Sequence, residues 1–238
     1  MNERSSTDME HQHHHHDEAP TEAPIEPRAF WEARYGERER IWSGAANRAL
    51  VDVVSPLKPG SALDLGCGEG GDSLWLAEAG WQVTGADISA TALERAAVQA
   101  HSRGLGAEAV SWLQVDLGED FPPGTYDLVS ACFLASPVQL NRGKVLRRAA
   151  DAVTAGGTLL IVSHAATPPW SRHRHGPDEA PSSHGPGDFP TPAEELELLG
   201  LDEDRWLVVT AEVRPRQATG PEGAVVDLED TVIVARRN

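Results

Sequence analysis

Lysine, cysteine and methionine are scarce in this chain, with two of each, and no run of 18 or more residues is continuously apolar. Cys67 and Cys132 cannot build a disulfide framework, so an ordinary core has to hold the fold, and a reducing cytoplasm is the expected compartment. The missing apolar run excludes a membrane-spanning helix and a signal-peptide core, so the chain is expected to be soluble and unexported. Positive charge is short as well. Twenty bases face 37 acids for a net charge of −17, and only Lys58 and Lys144 are lysines. Binding to nucleic acid or to an anionic membrane is dominated by neutralising phosphates, and this balance opposes both partners. What remains is 238 residues, enough for one good core with tails.

The chain is organised around Ser61 to Gly71, SALDLGCGEGG. Ala62, Leu63 and Leu65 read as a short buried strand, the glycines at 66, 68, 70 and 71 as a turn nearly bare of side chains, and DSLWLAEAG as the start of an amphipathic helix. Strand, glycine turn and helix together bring backbone close to a nucleotide-like ligand, with unpaired N–H groups at the open helix end. Gly66, Gly68 and Gly71 satisfy the G-x-G-x-x-G spacing, and Asp87 follows about 20 residues on, as in a dinucleotide site. Asp64 and Glu69 flank the turn where a dinucleotide enzyme would hold a pyrophosphate. Like charges about 4 Å apart repel by roughly 4 kcal/mol at an effective dielectric near 20. These acids favour a ligand that carries an ammonium and a sulfonium and no phosphate, which describes S-adenosylmethionine.

DLGCGEGG, then ADIS at Ala86 to Ser89, then VDL at Val115 to Leu117 resemble the class I S-adenosylmethionine-dependent methyltransferases, with order and spacing matched over roughly Ala62 to His164. The resemblance implies a Rossmann-like seven-stranded α/β sheet, five parallel strands plus a C-terminal antiparallel pair, with helices on both faces. The aromatic segment Trp31, Tyr35 and Trp42, followed by Ser43 and Gly44, is similar to the small-molecule members that include the thiopurine and tellurite-resistance enzymes.

Along the chain, residues 1–27 are polar, acidic and proline-bearing, with His11 to His16 as a histidine run; they read as a disordered tail. Residues 28–58 read as two cap helices, covering one sheet edge or serving as a lid over the donor. The donor-binding core spans 61–164, with a helix over about 138–153 closed by Thr154–Gly157, and strand four running through Leu134. Residues 165–190, rich in Pro, Gly, Ser and His, form a long loop. His173, His175 and His184 with Asp178 have the composition of a metal site, but a solvated loop is favoured and no metal is assigned. Residues 191–238 give a short helix capped by Thr191, then a β-hairpin.

The resemblance carries donor-binding roles onto matching positions. Asp64 would hold the methionine ammonium or else cap the turn, and Asp87 would accept from both ribose hydroxyls. Asp116 would accept from the adenine amino group beside a Leu117 N–H. Gly66, Gly68 and Gly70 would leave room for the ligand, and Ile88 would pack on adenine. Trp42, Cys67, Glu69 and Ala131 complete the expected donor set. Methyl transfer from a sulfonium is an in-line displacement with a neutral leaving group, so positioning and desolvation can supply much of the rate. A base is needed only where the acceptor arrives protonated. His164, directly after strand five, is the candidate; an ordinary imidazole titrates near 6.5. A histidine bonded to loop backbone is the competing reading. Strand four ends in SACFLASP, not in an Asn/Asp-Pro-Pro-aromatic motif, which counts against amino-group methylation of DNA bases or protein glutamine.

The expected function is therefore methyl transfer from S-adenosylmethionine to a small-molecule acceptor at S, Se, Te or O, by a monomer or dimer. An NAD-dependent oxidoreductase and a non-catalytic donor-binding or metal-sensing module are the alternatives. Asp87→Ala is expected to weaken donor binding several-fold in a titration while leaving the melting temperature nearly unchanged.

Overall fold

Side-chain alternation along the central strands decides the architecture. The computed structural model describes residues 25–166, 189–219 and 223–238. Its strands are β1 (Ser61–Leu65), β2 (Gln82–Asp87), β3 (Val110–Gln114), β4 (Tyr126–Cys132), β5 (Val153–His164), β6 (Trp206–Thr219) and β7 (Val225–Arg237). Its helices are α1 (Pro27–Gly36), α2 (Arg48–Val54), α3 (Gly71–Glu78), α4 (Ala90–Ser102), α5 (Arg142–Asp151) and α6 (Pro192–Leu199). Leu63, Val129, Leu159 and Ile161 join one buried cluster with α5 and α6, through Val145, Leu146 and Leu199. Their neighbours Ala62, Leu128, Leu160 and Val162 join another with Leu50 and Val54 of α2 and Leu74 and Leu76 of α3. Strands covered on both faces read as continuous apolar runs, as these do.

The sheet order is β3-β2-β1-β4-β5-β7-β6. β1 to β5 run parallel, and β7 is antiparallel to both β5 and β6. The order reverses between β1 and β4, so the carboxyl ends of those strands flank the crevice where ligands bind in such sheets. The β1–α3 turn lies there. β7 sets His164, the last residue of β5, directly opposite Asp230.

Several sequence expectations change in detail. α2 packs on a sheet face and does not cover an edge, because Leu50 and Val54 share a core with Leu160, Val162 and Val232. β4 stops at Cys132, since Phe133 turns into the left-handed region with φ 56°, the one non-glycine residue so placed among those described. α5 starts only at Arg142, where the Asn141 side chain caps it by accepting from the Lys144 N–H. Thr154–Gly157 belongs to β5 and does not close the helix; the register against β4 shifts there from Tyr126↔Val153 to Leu128↔Thr158. The histidine tail and the cluster of His173, His175, His184 and Asp178 lie outside the described residues. No helix among the described residues is long and apolar enough to cross a membrane.

A buried ion pair ties α5, α6 and β5 together. Glu195, fully buried, accepts from both terminal nitrogens of Arg142 at 2.8 Å and from the Ser163 hydroxyl at 2.5 Å. Removing one partner of such a pair strands the other charge, at a cost of about 3–5 kcal/mol. Glu195→Ala is expected to lower unfolding stability by that amount in a urea titration, whereas Glu94→Ala, on the exposed side of α4, should leave the midpoint unchanged.

Candidate functional site

Three carboxylates converge on the glycine turn. Asp64, only 2% exposed, accepts from the Ser73 hydroxyl at 2.6 Å and the Ser130 hydroxyl at 3.2 Å. Asp72, in the first turn of α3, accepts from the Asn47 N–H at 2.5 Å. Asp87, at the end of β2, accepts from the Gly68 N–H at 2.8 Å and the Ser89 N–H at 3.0 Å. The partners of all three are hydroxyls, backbone N–H groups and, for Asp72, the Cys132 thiol, all of them neutral. Burial pushes the Asp64 carboxyl up to about 7, and the neighbouring Asp72 adds to the rise. Burial also raises Asp72 and Asp87 above the ordinary carboxylate range. A cation arriving here would relieve the cost of those buried charges.

Glu69 plays a different part from the one its position in the turn implied. It is buried, and it accepts from the Ile41 and Trp42 N–H groups at 3.1 and 3.0 Å and pairs with Arg95 at 2.9 Å. Its charge is thus spent on holding the 41–42 segment and α4 to the turn, so it does not act as the second repelling acid. Asp72 is the carboxylate that faces Asp64, a role not read from the sequence because it lies just inside the helix. Ala131 is also corrected: it is fully buried in the α5-side core and offers a ligand no surface.

The turn itself is built from the backbone. Gly66 and Cys67 donate to the Ala86 carbonyl at 2.8 and 3.0 Å, locking β1 to β2. Gly70, at φ 82°, has no room for a Cβ, which would meet Trp112 at 2.8 Å and Ala96 at 2.9 Å. Its bareness therefore serves packing against β3 and α4. At Gly68 a Cβ would meet the Tyr35 hydroxyl at 2.9 Å and the Trp42 indole at 3.3 Å. The Trp42 indole N–H donates to the Tyr35 hydroxyl at 3.0 Å, with Trp42 51% exposed. Burial beside Asp87 raises Tyr35 and keeps it protonated. Cys67 is likewise held as a neutral thiol, by burial and by Asp87. Ile88 is half-buried, and its carbonyl accepts from the Gln114 amide. Asp116 closes its own turn by accepting from Gly118 at 2.9 Å, with Leu117 buried beside it.

Sequence reasoning missed Glu32. From α1 its carboxylate accepts from the Ser89 hydroxyl and the Ala90 and Thr91 N–H groups at 3.0, 2.6 and 3.3 Å. This glutamate caps α4 from another helix and seats α1 beside Asp87. An acid in an amphipathic helix gives no local sign of such a contact.

A second cleft, of about 180 Å³, opens at the carboxyl end of β5 and is lined by Phe133, Leu134, Arg142, His164, Phe189 and Pro190 among others. The His164 side chain is 35% exposed; its ring stacks on Phe133 at 4.3 Å and meets Phe189 edge-on at 6.2 Å. The site thus has a carboxylate-rich half at β1 and β2 and an aromatic half at β4 and β5.

Residues 63–159 match the family model of a methyltransferase domain. Over 102 residues the chain is 36% identical to a ribosomal RNA small subunit methyltransferase C of Alcanivorax borkumensis, covering 37% of this chain and 31% of that protein. Over 115 residues it is 35% identical to a 2-heptyl-1-hydroxyquinolin-4(1H)-one methyltransferase of Mycobacteroides abscessus, covering 46% and 49%. The chain thus spans half or less of the length of either relative. A solved structure described for the conversion of a disulfide bond into a thioacetal group during echinomycin biosynthesis superimposes with a TM-score of 0.69, at 24% identity, over 89% of this chain and 92% of that one.

The raised Asp64 has a consequence for stability. Unfolded, the group titrates near its ordinary 3.8; folded, near 7. Between those values unfolding releases a proton, so Asp64 makes stability fall as pH rises from about 4 to about 7 and adds no further change above. Asp64→Asn is expected to raise the melting temperature of the free protein at pH 8 and to flatten its decline between pH 5 and 7, by calorimetric scans.

Proposed function

We propose that this chain, which carries a class I S-adenosylmethionine-dependent methyltransferase domain, moves a methyl group from S-adenosylmethionine to a small-molecule acceptor seated in the cleft beside His164. The observation that carries this reading is the trio of carboxylates around a backbone turn, Asp64 and Asp87 buried and Asp72 half-buried. They form a well for a cationic ligand and repel a diphosphate, which disfavours a nicotinamide dinucleotide at the same turn. When bound, the donor supplies a methyl group on a positively charged sulfur, with a neutral thioether to leave.

The protein's own residues then bind and orient. Asp64, with Asp72 behind it, would take the donor's ammonium. Each Asp87 oxygen accepts one backbone N–H and keeps a lone pair for a ribose hydroxyl. Asp116 and the Leu117 N–H would read the adenine edge, with Ile88 against its face. Trp42 and Tyr35 wall the turn near Gly68. His164 stands where an acceptor in the aromatic cleft would present its proton.

A small acceptor is supported by the modest cleft and by the net charge of −17, which opposes a nucleic-acid substrate. The name of the hydroxyquinolinone relative supports a cyclic, heteroatom-bearing acceptor. Both cysteines are free, in keeping with a cytoplasmic setting.

The two hydrogen bonds to Asp87 revise the sequence-based expectation for its removal. Each buried N–H left unpaired costs about 1–3 kcal/mol, so Asp87→Ala is now expected to lower the melting temperature. It should also weaken S-adenosylhomocysteine binding at least tenfold by calorimetry. An acceptor screen over phenols, thiols and chalcogenides, read by S-adenosylhomocysteine release, tests turnover. Tight NADH binding without any response to the nucleoside would overturn the reading.

A further inference from the structure

We propose that Asp230 is a positioning residue for His164: its buried Oδ1 fixes the ring in the Nδ1–H tautomer and leaves Nε2 to take a proton from the acceptor. The inference deepens the methyl-transfer reading and rests on it.

Asp230 is 2% exposed, and its two oxygens are treated differently. Oδ2 accepts from the Arg216 Nε at 2.5 Å. Oδ1 is the one buried side-chain oxygen or nitrogen without a hydrogen-bond partner among the described residues. A buried polar atom left so costs about 1–3 kcal/mol, and such exceptions call for a reason. The His164 Nδ1 lies 3.7 Å from this oxygen. That is long for a hydrogen bond but within ion-pair reach, so a shift of under 1 Å closes it.

The ring has few other ways to move. It is stacked on Phe133, whose backbone sits in the left-handed region, a strained state for a bulky residue that persists only where its surroundings enforce it. Directly opposing register on β5 and β7 holds His164 and Asp230 level. Among the described residues, the charged groups bordering the ring are Asp230 from β7, Arg216 from β6 and Arg142 from α5. Arg216 is taken up by Asp230 itself, and Arg142 by Glu195. Among these charged groups, Oδ1 is therefore the unengaged acceptor nearest the imidazole.

In the transfer step the acceptor heteroatom bonds to the methyl carbon as the sulfur–methyl bond breaks, and the electron pair of that bond stays on sulfur. The proton of the acceptor O–H or S–H passes to Nε2. The imidazolium so formed donates its Nδ1–H to Oδ1, which pairs both charges, and the ring returns to neutral by releasing the Nε2 proton to water.

The test is the tautomer of His164 in the full chain, read at pH 8 from imidazole ¹⁵N shifts and assigned by their loss in His164→Gln. The parent protein is expected to show Nδ1–H. In Asp230→Asn the amide oxygen is claimed by Arg216, so the amide NH₂ faces Nδ1 and the ring should invert to Nε2–H. Arg216→Gln leaves Asp230 charged and should keep Nδ1–H, which separates orientation from mere structural support. An Nε2–H ring in the parent, or an unchanged ring in Asp230→Asn, overturns the proposal. S-adenosylhomocysteine calorimetry on the same samples is independent of this result: its failure would sink the methyl-transfer reading alone.

Discussion

Buried negative charge without a matching positive group is the constraint from which the site follows. Asp64 and Asp87 are withdrawn from water at the mouth of a parallel sheet and Asp72 partly so, and burial is the leading cause of the upward shift of each. Donors come from four separate pieces of chain. Ser73 and Ser130 serve Asp64, the Asn47 N–H serves Asp72, and the turn and the start of α4 serve Asp87. These contacts orient the carboxylates and leave their charge in place. The fold thus holds, at the switch point of its strand order, a negative potential that a proton or a bound cation relieves.

The sheet's final strands give the other half of the site its chemistry. A β7 running parallel to β5 would need a crossover before it could lie alongside. Running antiparallel, it sets Asp230 level with the end of β5, against His164. The same pairing stations Arg216 of β6 over the ring of Phe133, its guanidinium carbon 5.3 Å from the centroid. One hairpin therefore completes the sheet and sets a carboxylate against His164 and a guanidinium over Phe133.

What could be read from the sequence was what is decided locally. The strand–turn–helix, the acids at the ends of β1 and β2 and the Thr191 cap each depend on a few adjacent residues. Contacts across the chain left no such trace. Glu32 meets Ser89 over a separation of 57 residues, and Glu69 meets Arg95 over 26. Glu69 stands in the turn itself, so adjacency named it as a ligand-facing acid, while Asp72, on the first turn of the helix, was passed over. Ala131 was misplaced because a period of two shows that neighbours face opposite ways without showing which way each faces. The partner of His164 depended on the pairing of β5 with β7, two strands separated by α6 and β6, which no local pattern fixes.

Glu32 also links two motions that would otherwise be separate. The backbone N–H groups at the start of α4 find their acceptor on α1, a different helix, in addition to the Ser89 cap. Lifting α1 away from the turn would strip those groups of a partner, so departure of the N-terminal segment and fraying of the α4 start become a single thermodynamic event. Any ligand that braces Ser89 and Asp87 would then steady α1 as well, without touching it at all.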